Sequence, residues 1–191
     1  MPLRPRSRAL LALLMATLLS AALADELDDV AALRRDGRSA IALERADRFL
    51  ADHPRDAQMR FLKAALLADL GRSGDAAQVL EQLSQDFPDL PEPYNNLAVL
   101  FAARGDFERA KAALDQALRL RPNYATAQEN LGDVYAALAA RAYSAALRLE
   151  GDRPGVPRKL AAVRQAFAAS AAGVSSSPSA ALQPSAGSAA R

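Results

Sequence analysis

Few residues in this sequence could carry catalytic or metal-binding chemistry. The 191-residue chain has no cysteine, which excludes disulfides, thiolate-bound zinc, iron–sulfur clusters and a cysteine nucleophile. Its single histidine, His53, lies between Asp52 and Pro54 at an expected helix end. Because no nucleophile lies near it in the sequence, we interpret His53 as structural rather than as a catalytic base. The sequence thus predicts no catalytic residue, no metal site and no cofactor.

Other binding and catalytic motifs are also missing from the sequence. No stretch matches a phosphate-binding loop, a dinucleotide fingerprint or a serine-hydrolase elbow. The acidic run Asp25, Glu26, Asp28 and Asp29 lacks the glycine and the distal glutamate of a calcium loop, and it suits the N-terminal dipole of a first helix. With 24 basic and 22 acidic residues, the chain has no basic excess of the kind that nucleic-acid binders use. A stand-alone enzyme is the least favoured class of protein.

The N-terminus has the layout of a secretory signal peptide. Three arginines precede an apolar run over residues 9–19, and small residues follow at Ala22 and Ala24. The alternative is a retained membrane anchor, but residues 9–24 are shorter than the roughly 20 residues that span a bilayer. We therefore predict a signal peptide over residues 1–24, cleavage after Ala24 and a periplasmic location, in a protein of exported bacterial type.

Charge is unevenly distributed once this leader is set aside. Residues 25–139 hold 14 basic and 20 acidic residues, whereas residues 140–191 hold 7 basic and 2 acidic ones. The body of the protein is therefore acidic and its C-terminal end is basic. The favoured interpretation is a solvated, charge-balanced helix, and the alternative is contact with an anionic membrane surface through Arg153, Arg158, Lys159 and Arg164.

A period of 34 residues organises the rest of the chain. Three residue types agree on it: Gly37, Gly71 and Gly105; Pro54, Pro88 and Pro122; Ala42, Ala76 and Ala110. Glycine suits a left-handed helix end, proline stops a helix, and alanine permits two helices to approach closely. The pattern predicts an all-α stack of antiparallel helix pairs, with Asp106 and Ser73 as candidate N-caps.

The third unit carries a family resemblance. Over residues 91–124 it places an aromatic, a leucine, a small residue, a second aromatic, an alanine and a proline at set positions, namely Tyr94, Leu97, Ala98, Phe101, Ala110 and Pro122. This spacing resembles the tetratricopeptide repeat. In the second unit Arg60 and Lys63 replace residues that are usually apolar. The resemblance implies a right-handed superhelix of stacked antiparallel helix pairs, an α-solenoid.

The repeat pattern divides the chain into four units and a C-terminal extension. The array spans residues 25–150, with units at about 25–56, 57–90, 91–124 and 125–150. The fourth unit has Ala139 where the turn glycine is expected, so we predict one uninterrupted helix over 125–149.

Beyond the array, four turn residues predict a break: Gly151, Pro154, Gly155 and Pro157. An amphipathic helix over 158–171 is expected to cap the array within residues 151–172, with its apolar face formed by Leu160, Val163, Ala166 and Phe167. The Ser/Ala/Pro-rich residues 173–191 are predicted to be disordered.

The resemblance implies that a partner peptide lies in the concave groove, on the first helix of each unit. The corresponding positions form an apolar floor and then a polar, acidic wall: Leu27, Ala31, Phe61, Ala65, Val99, Glu92, Asn95, Asn96, Glu129, Asn130 and Asp133. Family members that clamp a terminal carboxylate carry Lys and Arg where this chain has Asn95, Val99 and Glu129, so such a clamp is not expected. By charge complementarity the groove should favour a segment with an apolar anchor and a cationic or amide-rich stretch. The alternative is that Glu129 and Asp133 form an ordinary solvated helix face.

These observations favour a periplasmic protein–protein interaction module, a scaffold or an assembly factor. Two alternatives remain: a non-catalytic accessory subunit of a cell-envelope enzyme, and an envelope-surface binder that uses the basic C-terminal segment. Exposed apolar groove residues such as Phe61 would also allow self-association, so the sequence leaves the oligomeric state open.

Overall fold

The computed structural model describes residues 26–150 and 153–173, with side chains as far as residue 166. The predicted signal peptide and the tail from residue 174 onward lie outside the described residues. Helices account for all the regular structure in these two ranges. They are α1 (residues 26–35), α2 (Ser39–Asp52), α3 (Ala57–Asp69), α4 (Ser73–Asp86), α5 (Pro91–Ala103), α6 (Phe107–Leu120), α7 (Ala125–Leu149) and α8 (Val156–Gly173).

Consecutive helices pack as pairs that stack on one another. We call α1, α3, α5 and α7 the first helices, and α2, α4 and α6 the second helices. Each helix from α2 to α8 contacts its predecessor or its successor in the chain, and α5 also contacts α7 directly. Short connections between antiparallel helices enforce this order, because a short loop leaves the next helix no other place to pack. The described array is thus a stack of helix pairs, as the sequence predicted.

Glycine and proline punctuate the pairs as expected. Gly37, Gly71 and Gly105 have φ angles of 74°, 73° and 76°, the left-handed conformation that ends the first helix of each pair. The following amide closes the turn, as when Asp106 N–H donates to the Phe101 carbonyl at 3.0 Å. The second helices end at Asp52, Asp86 and Leu120, in each case two residues before the predicted proline.

Of the two predicted N-caps, Asp106 is confirmed and Ser73 is wrong. The Asp106 carboxylate accepts a hydrogen bond from the backbone N–H of Arg109 at 3.3 Å, which confirms it as the cap of α6. Ser73 was a wrong prediction, because it is the first residue of α4 and the preceding Arg72 makes no side-chain capping bond. Asp56 is a further N-cap, which the sequence pattern did not indicate: its carboxylate accepts a hydrogen bond from the backbone N–H of Met59 at 2.7 Å at the start of α3.

Alanines lie where the helix pairs meet, and larger apolar residues surround them. Ala42, Ala76 and Ala110 have no solvent exposure, and Leu80 and Leu114 are equally buried beside them in the core. A longer side chain at these alanines would overpack the core, at a cost of about 1–3 kcal/mol. The same core runs from Val30 to Val134 without interruption, so the pairs form one body.

The C-terminal helices show one confirmed prediction and two corrections. The helix predicted over 125–149 is present as α7, which runs unbroken through Ala139. Pro157 does not lie in the break but in the first turn of α8, where its missing N–H would have no partner in any case. Of the predicted apolar face, Leu160 is buried and Val163 half-buried, whereas Ala166 is exposed; the side chain of Phe167 lies outside the described residues. α8 packs against α7.

None of the helices in the described ranges combines the length and apolar composition that a membrane span requires.

Candidate partner-binding surface

The residues predicted to contact a partner lie on the first helices, in the register that the repeat imposes. Asn96 on α5 and Asn130 on α7 are 34 residues apart and occupy equivalent positions. The two helices are neighbours in the stack, because the Asn130 Nδ2 donates to the Asn95 Oδ1 at 2.9 Å. The repeat therefore brings polar residues of α5 and α7 together.

Their accessibility differs from the expected open groove. Glu129 is exposed, and Leu27, Ala31, Val99, Asn130 and Asp133 are half-buried. The other predicted residues are buried: Phe61, Ala65, Glu92, Asn95 and Asn96. The prediction of an open polar wall is thus wrong for the three α5 residues, because each is enclosed by the helices packed around it. Phe61 is likewise not an exposed apolar residue. The accessible polar candidates lie on α7, and the accessible apolar ones are Val99 of α5 and Leu27 and Ala31 of α1.

The asparagine side chains form a short hydrogen-bonded chain between α5 and α7. Asn130 donates to Asn95, and the Asn95 Nδ2 donates in turn to the Asn96 Oδ1 at 3.2 Å. This series of hydrogen bonds ends at Asn96, because its buried Nδ2 has no hydrogen-bond partner among the described residues. A buried donor without an acceptor costs about 1–3 kcal/mol, so Asn96 holds an unmet hydrogen-bonding capacity.

Glu92 forms an ion pair within the protein, so its carboxylate serves the structure of the array. Its carboxylate lies 2.8 Å from the Arg121 guanidinium, which joins the start of α5 to the end of α6. Arg121 also lies over the ring of Tyr124, 5.1 Å from its centroid. The pKa of the Tyr124 hydroxyl is raised, first because the ring is buried and second because the negative Glu92 is near. These contacts fix the connection between α6 and α7.

The remaining candidate groups have structural partners too. His53 stacks on the ring of Phe49, with ring centroids 4.5 Å apart, and its Nδ1 lies 3.2 Å from the Phe49 carbonyl. In the acidic run, Glu26 and Asp29 both bond to Arg45 of α2, at 2.6 and 2.5 Å. The hydrogen bond from Arg45 lowers the pKa of Glu26 below its ordinary value. Across the described ranges, no group of three or more His, Cys, Asp or Glu residues could hold a metal ion.

Family comparisons agree with this architecture. A family model described as "Tetratricopeptide repeat" matches residues 27–91, and one described as "TPR repeat" matches residues 100–138. The class of protein is thus an all-α repeat solenoid. Residues 27–91 and 100–138 are tetratricopeptide repeats.

Solved structures with the same fold include a thermophilic TPR protein from Thermus thermophilus. It is 26% identical with a TM-score of 0.57, and the match covers 75% of this chain and 82% of that one. A mutant of the Thermobaculum terrenum O-GlcNAc transferase is also 26% identical with a TM-score of 0.55; the match covers 60% of this chain but only 22% of the transferase. MamA is 19% identical with a TM-score of 0.53, covering 74% of this chain and 86% of its own, and shows the shared fold alone.

Proposed function

We propose that this protein is a non-catalytic interaction module of the periplasm, which holds an extended segment of a partner protein along its first helices. Tetratricopeptide repeats in both halves of the array support a role in protein–protein interaction. The observation that carries the proposal is the accessible row on α7, where Glu129, Asn130 and Asp133 present two carboxylates and an amide on one side of the array.

The chemistry of this row defines the segment that it would accept. Half-buried Val99 offers an apolar contact, and the Asn130 amide could exchange hydrogen bonds with a peptide backbone. Glu129 and Asp133 would attract a lysine or arginine of the segment. Because Phe61 and Ala65 of α3 are buried, we assign them to the core rather than to the partner contact. The segment we propose is therefore short, with one apolar residue and a neighbouring cation.

Crosslinking tests the location of the surface. A photo-crosslinking residue replaces Val99 in one variant and Ala112, which is exposed on the second helix α6, in the matched control. We expect a defined adduct from position 99 and none from position 112 in cells. Adducts of equal yield from both positions would contradict the proposed surface.

Charge reversal then tests its chemistry on the partner that crosslinking identifies. The double variant Glu129→Lys with Asp133→Lys should lower the affinity at least tenfold, because each reversal replaces attraction by repulsion. The control Glu44→Lys with Asp89→Lys makes the same change in charge at two exposed residues elsewhere. An unchanged affinity in the α7 variant means that its carboxylates form a solvated face only.

The biological setting of the module is a separate part of the proposal. A scaffold or assembly factor should copurify with several envelope proteins, whereas an accessory subunit should copurify with one enzyme in fixed stoichiometry. Export predicts a mature protein in the periplasmic fraction whose N-terminal sequence begins at Asp25. A full-length chain retained in the cytoplasm would contradict it.

A second candidate function uses the basic C-terminal helix. Arg158, Lys159 and Arg164 of α8 are all exposed, which favours contact with an anionic surface. This function predicts that the protein binds phosphatidylglycerol vesicles at low salt and that deletion of residues 151–191 abolishes binding. Binding that survives the deletion would exclude α8 as the contact.

A further inference from the structure

Two successive helix junctions in the array occupy equivalent positions of the repeat but carry different side chains at their surface. We call the contact of α2, α3 and α4 the first junction and that of α4, α5 and α6 the second junction. In the second junction the Arg109 guanidinium lies over the Phe101 ring, 4.0 Å from its centroid, and bonds to the Glu81 carboxylate at 3.3 Å. This arginine bridges two second helices and covers the first helix between them.

The first junction has different residues at the positions 34 earlier. Asp75 replaces Arg109, Leu67 replaces the ring of Phe101, and Asp47 replaces Glu81 with a shorter side chain. No bridge can therefore form between residues 47 and 75, because both carry carboxylates. A cleft with a volume of about 280 Å³ is open at this place.

Charged residues of both signs line the cleft around an apolar floor. The Lys63 ammonium lies 2.7 Å from the Asp47 carboxylate, and the Arg72 guanidinium lies 2.7 Å from the Asp75 carboxylate. All four charges remain partly exposed, whereas Leu67 on the floor is buried. Lys63 occupies the position of Leu97 in the second junction, so a charge enters a place that the next repeat fills with an apolar residue.

We propose that this cleft binds a small zwitterion, an α-amino acid with an apolar side chain. A simple cation would have to compete with Lys63 for Asp47, and a simple anion would have to compete with Asp47 for Lys63. A zwitterion offsets both costs, because each residue that loses a partner gains a new one: its carboxylate can approach Lys63 and Arg72 while its ammonium approaches Asp47 and Asp75. Its side chain would then cover the floor at Leu67, at the place where the guanidinium of Arg109 covers Phe101 in the second junction.

The size of the cleft limits the ligand. At about 280 Å³ the cleft lies at the lower end of the range of about 300–1,000 Å³ for small-molecule sites, which is sufficient for a free amino acid. The cleft lies between second helices, separate from the partner-binding row on α7. The inference consequently stands or falls independently of the proposed protein–protein interaction.

Nuclear magnetic resonance of the mature-length protein tests the proposal with three probes of similar shape. L-Leucine carries both charges, isoamylamine carries only the cation, and 4-methylpentanoate carries only the anion. We expect L-leucine to cause saturable shifts of the backbone amides of residues 63, 67, 72 and 75, with at least tenfold weaker binding of the other two probes. Absence of a saturable shift with L-leucine, or equal binding of the singly charged probes, overturns the proposal.

Two variants that make the first junction resemble the second provide the structural arm of the test. Asp75→Arg places a guanidinium at the position equivalent to Arg109, from which it should form a bridge to Asp47. Lys63→Leu introduces the residue type found at the equivalent position 97. Each should lower L-leucine affinity at least tenfold while the circular dichroism spectrum stays unchanged. Asp89→Arg is the matched control at an exposed turn and should bind as the unaltered protein does. If L-leucine binding survives in both cleft variants, the cleft is not the site.

Discussion

The first and second junctions share a backbone arrangement and differ in what their side chains do at the surface. Both have a glycine turn with φ near 75°, a fully buried alanine and a fully buried leucine from the second helix. In the second junction Arg109 covers Phe101 and bonds to Glu81, whereas in the first a cleft lies between two separate ion pairs. The repeat signature therefore fixes the stacking of helices, and the residues between signature positions decide whether the stack is closed.

The largest change in stability should come from placing a lysine, as found in the first junction, at the equivalent position of the second junction. Leu97 is 5% exposed, and its counterpart is Lys63. Leu97→Lys should lower the free energy of unfolding by about 3 kcal/mol, because Glu81 is already bonded to Arg109 and the new charge is buried without its own partner. Urea denaturation measures the change. Leu97→Met, the control, should cost less than about 1.5 kcal/mol.

The reverse exchange should stabilise the first junction. Lys63→Leu replaces a partly exposed ion pair by the apolar side chain found at the equivalent Leu97, so the free energy of unfolding should rise by about 1 kcal/mol. We expect only a small gain in stability because the Lys63 side chain is 30% exposed and its ion pair with Asp47 is screened by solvent. A loss of stability in urea denaturation would mean that the Lys63–Asp47 pair holds this junction together.

The bridge in the second junction should contribute less than the core beneath it. Arg109→Ala removes a ring contact and an ion pair whose side chains are 58% and 46% exposed, and we expect a loss of about 0.5–1 kcal/mol. Part of this loss should disappear at high salt, which screens the exposed pair but not the contact with Phe101. Arg104→Ala, at an exposed turn residue, is the control and should change stability less.

The smallest effect concerns the pair that joins α1 to α2, one helix before the first junction. The pKa of Glu26 is lowered in the folded protein by the hydrogen bond from Arg45. The pair therefore stabilises the fold above the ordinary pKa of a glutamate, and this contribution is lost as the pH falls through the lowered value. Urea midpoints measured between about pH 6 and pH 3 should fall less steeply in Arg45→Met than in the unaltered protein. Parallel curves would contradict the assignment.

Much of the fold could be predicted from the sequence because a few residue types have strong local consequences. Glycine at residues 37, 71 and 105 tolerates positive φ, proline stops a helix, and alanine allows close packing, so each marks a position wherever its neighbours lie. The unbroken helix over 125–149 followed from the absence of such a marker at Ala139. The errors at Ser73 and Pro157 are shifts of a residue or two at helix starts, where several local arrangements satisfy the first amides equally well.

The candidate surface was harder to predict, because burial depends on neighbours that are distant in the sequence. Asn95 and Asn96 are polar and occupy groove positions of the repeat, yet both are fully buried. Asn95 bonds to Asn130, which is 35 residues away in the sequence, and a pattern of neighbouring residues cannot indicate a contact over that separation. The bridge of Arg109 to Glu81 was missed for the same reason. A comparison of equivalent residues one period apart is the signal that could have revealed it.

The unbroken α7 restricts how such an array could lengthen during evolution. A complete unit folds its second helix back on its first at a turn glycine, whereas α7 passes through Ala139 without a turn before α8 packs against it. A pair inserted after α7 would have to displace α8, whereas a copied unit inserted before residue 125 leaves the contact of α7 with α8 intact. Relatives of different length should therefore differ in the number of units upstream of α7 and share α7 and α8.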